Sequence, residues 1–301
     1  MVSQESKEYI SKLYESPAFG ASGFFALDGL RQGMATRREP TDKSIQCIKT
    51  KIDDIPCEWV LAEDADPDLR MLYLHGGDYV SGSGAFYLTM AGHISVAAKC
   101  AVLLPDYRLA PEHRFPAAIE DCIRAHEWLI SSGPTGSAPA KATFIAGDSA
   151  GGGLTLATLL ALRDRQLPLP KAGITLSAFT NLTLTGESIR SQEKFDPIMS
   201  PNCLPEFVNL YLGEADPRDP LASPVLGNYN GIPPLLIQVG EYEIIRDDSI
   251  QVADNARAAG VDVTLEVWDS MIHVFQSHEP LLPEGREAIE HIANFMQKCL
   301  A

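Results

Sequence analysis

The sequence has little positive charge and no long hydrophobic run. Its 301 residues include 24 Lys and Arg against 40 Asp and Glu, which gives a formal net charge of -16. A surface with this excess of acidic groups repels polyanions, so we expect no nucleic-acid partner and no attraction to anionic membranes. Because no uninterrupted apolar stretch reaches the length of a bilayer, we also predict no membrane-spanning segment.

The cysteines lack any C-x-x-C pair and any His/Cys spacing typical of a metal site. There are six of them: Cys47, Cys57, Cys100, Cys122, Cys203 and Cys299. We interpret them as small buried hydrophobic residues and predict no metal site. The first residues, MVSQESKEYISKLYES, place charges where a signal peptide needs an apolar core, so the expected compartment is the cytoplasm.

Short apolar segments recur along the chain, with helix-like segments between them. Eight are strand candidates: SIQCIKTKI, PCEWVLA, LRMLYLHG, CAVLLPDY, KATFIAGD, KAGITLSAF, PPLLIQVG and VTLEVWD. The middle ones are continuously apolar, as expected for parallel strands that helices cover on both faces. Helices are predicted at about 86–99, 115–131, 150–166, 247–259 and 284–299. This alternation predicts an α/β fold with a doubly wound, mostly parallel sheet in a single domain over 1–301.

Two segments interrupt the alternation, one at about 1–44 and one at about 181–222. Long excursions in compact domains are more often lids or binding loops than decoration. We therefore predict that the two segments form a helical cap over the sheet edge. Phe24, Phe25 and Phe86 are candidates for lining a pocket, although aromatic residues at such spacing more often pack in a core.

The sharpest local motif is G-x-S-x-G at 147–151, between the apolar strand candidate ATFIA and the helical segment GGGLTLATLLALRDRQ. In this strand–turn–helix context the serine adopts a strained backbone conformation and projects its hydroxyl above the sheet. Outside such a context the same motif indicates only a glycine-rich turn. Ser149 is therefore the candidate nucleophile.

A serine hydroxyl is a weak nucleophile at neutral pH, so it needs a base that a carboxylate orients. Glu243 follows the seventh strand candidate and His273 follows the eighth. All three side chains then lie at the carboxyl ends of parallel strands, where open α/β sheets carry their sites. Glu241, Asp247 and Asp248 are nearby rivals for the role of the acid.

The same chemistry needs backbone donors for the negative oxygen of a tetrahedral intermediate. The sequence His75-Gly76-Gly77-Asp78 follows the third strand candidate. We predict that the amides of Gly76, Gly77 and Ala150 form this oxyanion hole. His75 is interpreted as a structural residue that steadies the glycines rather than as a second base.

Five motifs follow one another in the order of a known family: HGGDY at 75–79, DYRLAPEHRFPAAIED at 106–121, GDSAGGG at 147–153, PLLIQVGEYEIIRDDS at 234–249 and WDSMIHVF at 268–275. They resemble the bacterial hormone-sensitive-lipase-like (family IV) carboxylesterases of the α/β-hydrolase superfamily, over roughly residues 45–300. The resemblance implies an α/β-hydrolase fold with a helical cap, hydrolysis of small-molecule esters with short to medium acyl chains, and no cofactor. It also implies homodimers that pair through the edge strand near 262–268.

The resemblance assigns the triad and the oxyanion donors to the residues already named: Ser149, Glu243, His273, Gly76, Gly77 and Ala150. Two positions depart from the usual family pattern. HGGG becomes HGGD, so Asp78 adds a carboxylate that we expect to disfavour anionic substrates, and the acid is a glutamate instead of the commoner aspartate. The polar stretch at 107–112 and Asp121 are expected to act as scaffold.

The favoured function is a carboxylesterase that works through an acyl-enzyme intermediate. One alternative is a non-catalytic small-molecule receptor on the same scaffold, since a fold does not by itself determine function. Such receptors generally lose a member of the triad, whereas all three members stand here in order. The other alternative is an amidase or peptidase, which uses the same machinery on a harder leaving group.

Overall fold

A sheet of eight strands forms the centre of the molecule. The structure is a computed structural model and describes residues 2–15, 26–279 and 281–301. The strands of this sheet are β1 (Gln46–Ile52), β2 (Ile55–Leu61), β3 (Asp66–Leu74), β4 (Cys100–Pro105), β7 (Ala142–Asp148), β8 (Ala172–Leu176), β9 (Leu235–Tyr242) and β10 (Val263–Ile272). Two further short strands, β5 (Ser132–Gly133) and β6 (Gly136–Ser137), pair with each other in a separate hairpin.

The strand order is β1-β2-β4-β3-β7-β8-β9-β10. β2 is antiparallel to both of its neighbours, whereas every pair from β4 to β10 is parallel. The predicted mostly parallel, eight-stranded sheet is confirmed, and each predicted segment coincides with one strand to within a few residues. The parallel strands bring their carboxyl ends to one edge, which is where the candidate site residues follow them.

Nine helices occur in the described part of the chain: α1 (Gln4–Glu15), α2 (Leu27–Met34), α3 (Leu88–Ala98), α4 (Ala117–Ser131), α5 (Ala150–Asp164), α6 (Ser188–Ser191), α7 (Leu204–Leu212), α8 (Arg246–Ala258) and α9 (Pro283–Leu300). The predicted helices appear as α3, α4, α5, α8 and α9. Alternate residues of β3 serve two cores, because Leu72 and Leu74 pack in one cluster with α4, α5 and α8 while Met71 and Tyr73 pack in another with α3 and α9. Helices thus cover both faces of the sheet, as the continuous apolar strands predicted.

The first of the two predicted cap segments is tied to the loop that follows β3. Arg31 on α2 donates from Nε to the carbonyl oxygen of Val80 at 2.8 Å and from a terminal nitrogen to that of Ala110 at 2.7 Å. The same guanidinium pairs with Glu112 at 2.6 Å. Because Arg31 satisfies two backbone carbonyls as well as a carboxylate, it fixes the position of α2 beside the catalytic edge of the sheet.

Candidate active site

Ser149 occupies the turn between β7 and α5, with φ of +51° and ψ of -121°. Such a conformation is strained by about 1–3 kcal/mol and is typical of functional sites. The Ser149 amide donates to the carbonyl oxygen of Leu176 at 2.8 Å, which ties the turn to β8. A Cβ on Gly151 would overlap the backbone of Leu74 and His75, so only glycine allows α5 to approach β3 this closely. The turn therefore has the geometry that its motif predicted.

His273 and Glu243 meet just beyond the carboxyl ends of β10 and β9. His273 Nδ1 lies 2.9 Å from Glu243 Oε2, and both side chains are buried. Glu243 Oε1 accepts from Ser177 Oγ at 2.7 Å and from the Gly240 amide. Ser177 Oγ in turn accepts from the Val274 amide at 3.0 Å, so one hydroxyl links the acid to the histidine loop. A carboxylate held in this way favours the tautomer with the proton on Nδ1 and leaves Nε2 as the basic nitrogen.

The three rival carboxylates are engaged elsewhere. Glu241 Oε2 accepts from the Ser270 amide at 2.9 Å. Asp247 Oδ2 accepts from the Ser188 amide at 2.9 Å. Asp248 Oδ2 accepts from two backbone amides at 2.8 Å each. Of the four candidates, only the predicted acid contacts the histidine.

Carboxylates surround His273. Burial alone lowers the pKa of its imidazole, but the hydrogen bond and charge of Glu243, together with the charges of Asp196 and Asp78, raise that pKa above its ordinary value. Burial also raises the pKa of Asp196 and of Asp78 to about 6, and the charge of His273 opposes this rise. Asp196 belongs to the second predicted cap segment and accepts from the Ile244 amide at 2.9 Å, one residue beyond the acid.

The Gly76 amide is already hydrogen-bonded within the fold. It donates to Asp148 Oδ1 at 3.0 Å and to Tyr87 Oη at 3.2 Å. Tyr87 and Tyr73 also donate to the Asp148 carboxylate, at 2.8 and 3.0 Å. The prediction that Gly76 is an oxyanion donor is therefore wrong, because its N–H serves to anchor the loop to the residue before the nucleophile.

Three other amides at this edge remain open. In the described ranges, no acceptor is found for the amides of Gly77, Asp78 and Ala150. Ala150 begins α5, so its N–H has no partner within the helix. Gly77 and Asp78 have φ of +122° and +55°. Aspartate is among the residues that best tolerate a positive φ, which explains how it can occupy a position where glycine is usual. Together the three amides form a cluster of donors suited to a negative oxygen.

His75, Arg108 and Asp121, which were expected to have structural roles, make contacts that hold loops in place. His75 is buried, its Nδ1 lies 2.8 Å from the Gly76 carbonyl oxygen, and the Tyr107 ring stacks on it at 4.2 Å between centroids. Arg108 pairs with the buried Asp121 at 2.7 Å and also donates its backbone amide to it. These contacts hold the loops after β3 and β4 in place and leave no catalytic task for either pair.

A cavity of about 400 Å³ lies above the catalytic edge, and Ser149 and His273 both line it. Residues of both predicted cap segments also line it, among them Leu30 on α2 and Leu204 and Phe207 at α7. This volume falls within the range of about 300–1,000 Å³ that is usual for small-molecule sites. The two segments thus border the space in which a substrate would meet the serine.

Phe86 lines this cavity, as expected, whereas Phe24 and Phe25 lie outside the described residues. The Arg38 guanidinium lies 3.5 Å from the centre of the Phe86 ring and lines the same cavity. The cavity wall therefore carries a cation in addition to the Asp78 carboxylate. For this reason the expected bias against anionic substrates rests on Asp78 alone and not on the charge of the whole pocket.

Three residues that shape the site were not singled out from the sequence. Ser177 follows β8 at the catalytic edge, and that position was an available signal. In the sequence Asp148 is only the variable position of G-x-S-x-G, although its place at the end of β7, next to the nucleophile, puts it at the same edge. Asp196 carries no local signal, because only the folded cap segment brings it to the acid loop.

Within the described part of the chain, no group of three or more His, Cys, Asp or Glu side chains could hold a metal ion. None of the helices there combines the length and the apolar character needed to cross a bilayer. No disulfide joins any two of the six cysteines, all of which lie in the described part of the chain.

Comparison with known proteins gives matches along most of the chain. A sequence model described as the alpha/beta hydrolase fold matches residues 71–277. An acetyl-hydrolase of Streptomyces hygroscopicus is 41% identical over 240 residues, which are 80% of this chain and 79% of that protein. The putative acetyl-hydrolase LipR of Mycobacterium tuberculosis is 34% identical over 277 residues, 92% of this chain and 87% of its own.

Solved structures agree with these relatives. A crystal structure of EstE5 soaked with p-nitrophenyl butyrate has a TM-score of 0.91 and 41% identity, with 99% of both chains covered. An esterase from the bacterial hormone-sensitive lipase family has a TM-score of 0.88 and 40% identity over 100% of both chains. Because the sequence model of the alpha/beta hydrolase fold matches more than half of the chain and the observed fold agrees with it, the chain belongs to the α/β-hydrolase fold family. Within that class it is a carboxylesterase of the bacterial hormone-sensitive-lipase-like branch. The family predicted from the five motifs is confirmed.

Proposed function

We propose that Ser149, His273 and Glu243 are the catalytic triad of this carboxylesterase. Ser149 Oγ attacks the ester carbonyl carbon while His273 Nε2 takes the hydroxyl proton, and Glu243 stabilises the imidazolium that forms. The tetrahedral intermediate collapses to an acyl-enzyme, and the alcohol leaves with the proton from His273. Water then repeats the sequence on the acyl-enzyme and releases the carboxylic acid. The observation that carries this proposal is the 2.9 Å contact between His273 and Glu243 at the edge where Ser149 and His273 line the same cavity.

The proposed oxyanion hole consists of the amides of Gly77, Asp78 and Ala150, with Asp78 in place of the predicted Gly76. Support comes from their lack of acceptors in the described structure, since a developing oxyanion would supply one. Donors placed in advance stabilise the transition state without reorganisation, and losing one of them typically costs about 2.7–4 kcal/mol.

The proposed substrates are esters of short- to medium-chain carboxylic acids. The cavity of about 400 Å³ has room for such a ligand. An ethyl acetate hydrolase of Pseudomonas putida is 30% identical over 78% of this chain, and the relative EstE5 was soaked with a butyrate ester. A series of p-nitrophenyl esters from acetate to laurate tests the proposal, and kcat/KM is expected to fall at the longest chain. An optimum at laurate would contradict it.

We propose a single domain over 1–301 in which about 1–44 and about 181–222 form a cap. Support comes from the residues that both segments contribute to the cavity wall and from the contacts of Arg31 with the loops after β3 and β4. A cap of this kind limits the entry of water and sets the depth of the acyl pocket. Replacing Leu204 by Ala is therefore expected to move the chain-length optimum, whereas an unchanged optimum would argue against a role for α7.

Replacing Ser149 by Ala tests the triad directly. The variant is expected to lose hydrolysis of p-nitrophenyl butyrate by on the order of a millionfold in kcat, as in other serine hydrolases. It should also lose covalent labelling by a fluorophosphonate probe, while Ser137→Ala, on the exposed hairpin, should retain both. Retained turnover would contradict the assignment. If the probe forms no adduct with Ser149 in the unaltered protein, this result would instead favour the alternative of a receptor, which the relatives do not support.

An amidase or peptidase would use the same residues on an amide. Nothing in the described pocket favours an amide over an ester, and the named relatives are esterases. Comparing kcat/KM for p-nitrophenyl butyrate with that for the matching anilide decides between them. A faster anilide would reassign the substrate class and leave the triad as proposed.

The proposed partner is a second copy of the chain, paired through β10. Among the described residues this strand pairs within the sheet only with β9 and leaves an open edge, on which Val267 is 45% exposed. Val267→Lys is expected to shift the molar mass measured by light scattering from dimer to monomer. Val96→Lys, which changes an exposed valine on α3, is the matched control. A monomeric unaltered protein would refute the pairing.

The proposed location is the cytoplasm. Support comes from the lack of any disulfide among the six cysteines of the described structure, since an oxidising compartment favours disulfides. Recovery of the protein from a cell fraction other than the cytoplasm would contradict this.

A further inference from the structure

Asp78 places a carboxyl group in the wall of the catalytic cavity. Its Oδ1 is buried and has no hydrogen-bond partner among the described residues. A buried acceptor without a donor destabilises the folded protein, so such groups are rare and call for an explanation.

The neighbouring carboxylates show what a satisfied group looks like here. Asp148 accepts three hydrogen bonds, from Tyr73, Tyr87 and the Gly76 amide. Asp196 accepts three from backbone amides, each at 2.9 Å. Both are held by the fold itself. Asp78 differs because the described part of the chain offers its carboxyl neither a donor nor an ion-pair partner, although the group faces the space that a substrate would fill.

The position of Asp78 relates its carboxyl to the reacting carbonyl. Its amide is one of the open donors at the catalytic edge, and its side chain branches from the same residue. Only three bonds, N–Cα, Cα–Cβ and Cβ–Cγ, separate this amide nitrogen from the carboxyl carbon. A carbonyl oxygen bound by the amide therefore lies close to the Asp78 carboxyl. The charge of the carboxyl also acts on His273 and on Cys203, just before α7, and all three residues line the same cavity.

We propose that Asp78 is a specificity residue whose carboxylate accepts a hydrogen bond from a hydroxyl or ammonium group on the substrate, one or two carbons from the ester group. This inference rests on the proposed triad and oxyanion hole. Hydroxylated or aminated short-chain esters are then preferred over plain ones. In the described structure no residue supplies the donor that Oδ1 needs, so the substrate supplies it.

The charge of Asp78 gives this preference a second source. An ionised carboxyl next to the oxyanion repels the negative charge that develops in the transition state. A hydrogen-bond donor on the substrate that binds the carboxylate weakens this repulsion in the transition state. Esters without such a donor experience the repulsion in full, so the residue disfavours plain esters as well as anionic ones.

The test compares esters that differ only in the donor. On the acyl side these are ethyl 3-hydroxybutyrate, ethyl 3-aminobutyrate and the capped control ethyl 3-methoxybutyrate. On the alcohol side they are 2-hydroxyethyl butyrate and its control 2-methoxyethyl butyrate. Hydrolysis is followed by titration of the released acid. The unaltered enzyme is expected to favour a donor-bearing ester over its methoxy control by about tenfold or more in kcat/KM, as for a hydrogen bond to a charged group.

Two variants locate the effect, and both residues introduced tolerate the positive φ of this position. Asp78→Gly is expected to bring the ratio of donor-bearing to methoxy ester close to one. Asp78→Asn keeps an acceptor oxygen without the charge, so it should keep part of the preference for hydroxyl and lose that for ammonium. Asp196→Asn removes a neighbouring carboxyl that does not line the cavity and should leave the ratio unchanged.

A ratio near one in the unaltered enzyme for both ester pairs overturns the proposal, and so does an unchanged ratio in Asp78→Gly. Because the ratio compares two esters on the same protein, a general loss of rate from a disturbed oxyanion loop cancels out. Failure of the triad would show itself separately, as turnover of any of these esters by Ser149→Ala.

Discussion

The side of the site with the proposed acid and the side with the proposed oxyanion donors are built in opposite ways. On the acid side, Glu243 is fully buried and both of its oxygens have donors: His273 at one, and Ser177 with the Gly240 amide at the other. On the oxyanion side, three amides lack acceptors in the described structure, and one carboxyl oxygen lacks a donor.

This difference separates groups that position other groups from groups that meet the substrate. A carboxylate that orients a base has to be held, so the fold satisfies it completely before any ligand arrives. Donors that stabilise a transition state have to remain unoccupied until the charge develops. On these two sides of the site, the groups that position others have hydrogen bonds supplied by the fold, whereas the groups proposed to meet the substrate lack partners.

The acid is the most sensitive positioning group, and Glu243→Gln tests it with the largest expected effect. Glutamine fills the same space but has no charge to stabilise the imidazolium. Its amide group can also donate to Nδ1 and thereby stabilise the histidine tautomer that has its proton on Nε2 and cannot act as the base. By analogy with other triads, kcat is expected to fall by about 10³–10⁴-fold. Steady-state hydrolysis of p-nitrophenyl butyrate measures the loss.

The rivals provide the matched controls for this change. Glu241→Gln and Asp247→Asn each remove a carboxylate that is bound to a backbone amide and does not touch the histidine. Both variants are expected to keep kcat within about tenfold of the unaltered enzyme, the range of a modest positional disturbance. If Glu243→Gln keeps a near-normal kcat while one of the two control variants loses it, the residue changed in that control is the acid.

Asp148→Asn disturbs a positioning group on the oxyanion side, with a smaller expected effect. The amide nitrogen of asparagine cannot accept, so at least one of the three donors to Asp148 loses its partner. Leaving a buried donor unpaired costs about 1–3 kcal/mol, which a urea unfolding curve would show. We expect kcat to fall about tenfold as the loop at Gly76 shifts the adjoining oxyanion amides, since small misplacements are costly. Tyr73→Phe removes only one donor, so it should lower the free energy of unfolding and kcat by less than Asp148→Asn does. An unchanged free energy of unfolding and an unchanged kcat in Asp148→Asn would contradict a positioning role.

The sequence predicts one side of this comparison better than the other. The Ser149 turn is a local structure set by five residues, and the parallel strands place Glu243 and His273 at the same edge, so motif and strand order suffice for them. The prediction of Gly76 as an oxyanion donor failed because the acceptors of its amide, on Tyr87 and Asp148, are 11 and 72 residues away in the sequence. Whether a backbone amide is open or occupied depends on such distant contacts, which neither a motif nor periodicity contains.

Asp196→Asn has the smallest expected effect and tests a link between the second proposed cap segment and the proposed base. His273 acts as a base only when neutral, so kcat/KM should rise with pH as the imidazolium loses its proton. The negative charge of Asp196 is one of the causes that raise the pKa of His273, so removing it should lower that pKa and move the rise in activity to lower pH. The pKa of Asp196 is itself about 6, so the carboxylate is mostly ionised where this rise occurs. We expect a shift of about half a pH unit, as for a partly screened charge at some distance. The pH profile of kcat/KM measures it, with the exposed Asp254→Asn as the control. A shift to higher pH would show that Asp196 acts on the acid loop through its hydrogen bonds to backbone amides and not through its charge on the base. The same shift in the control would show a general effect of net charge and would contradict a specific role of Asp196.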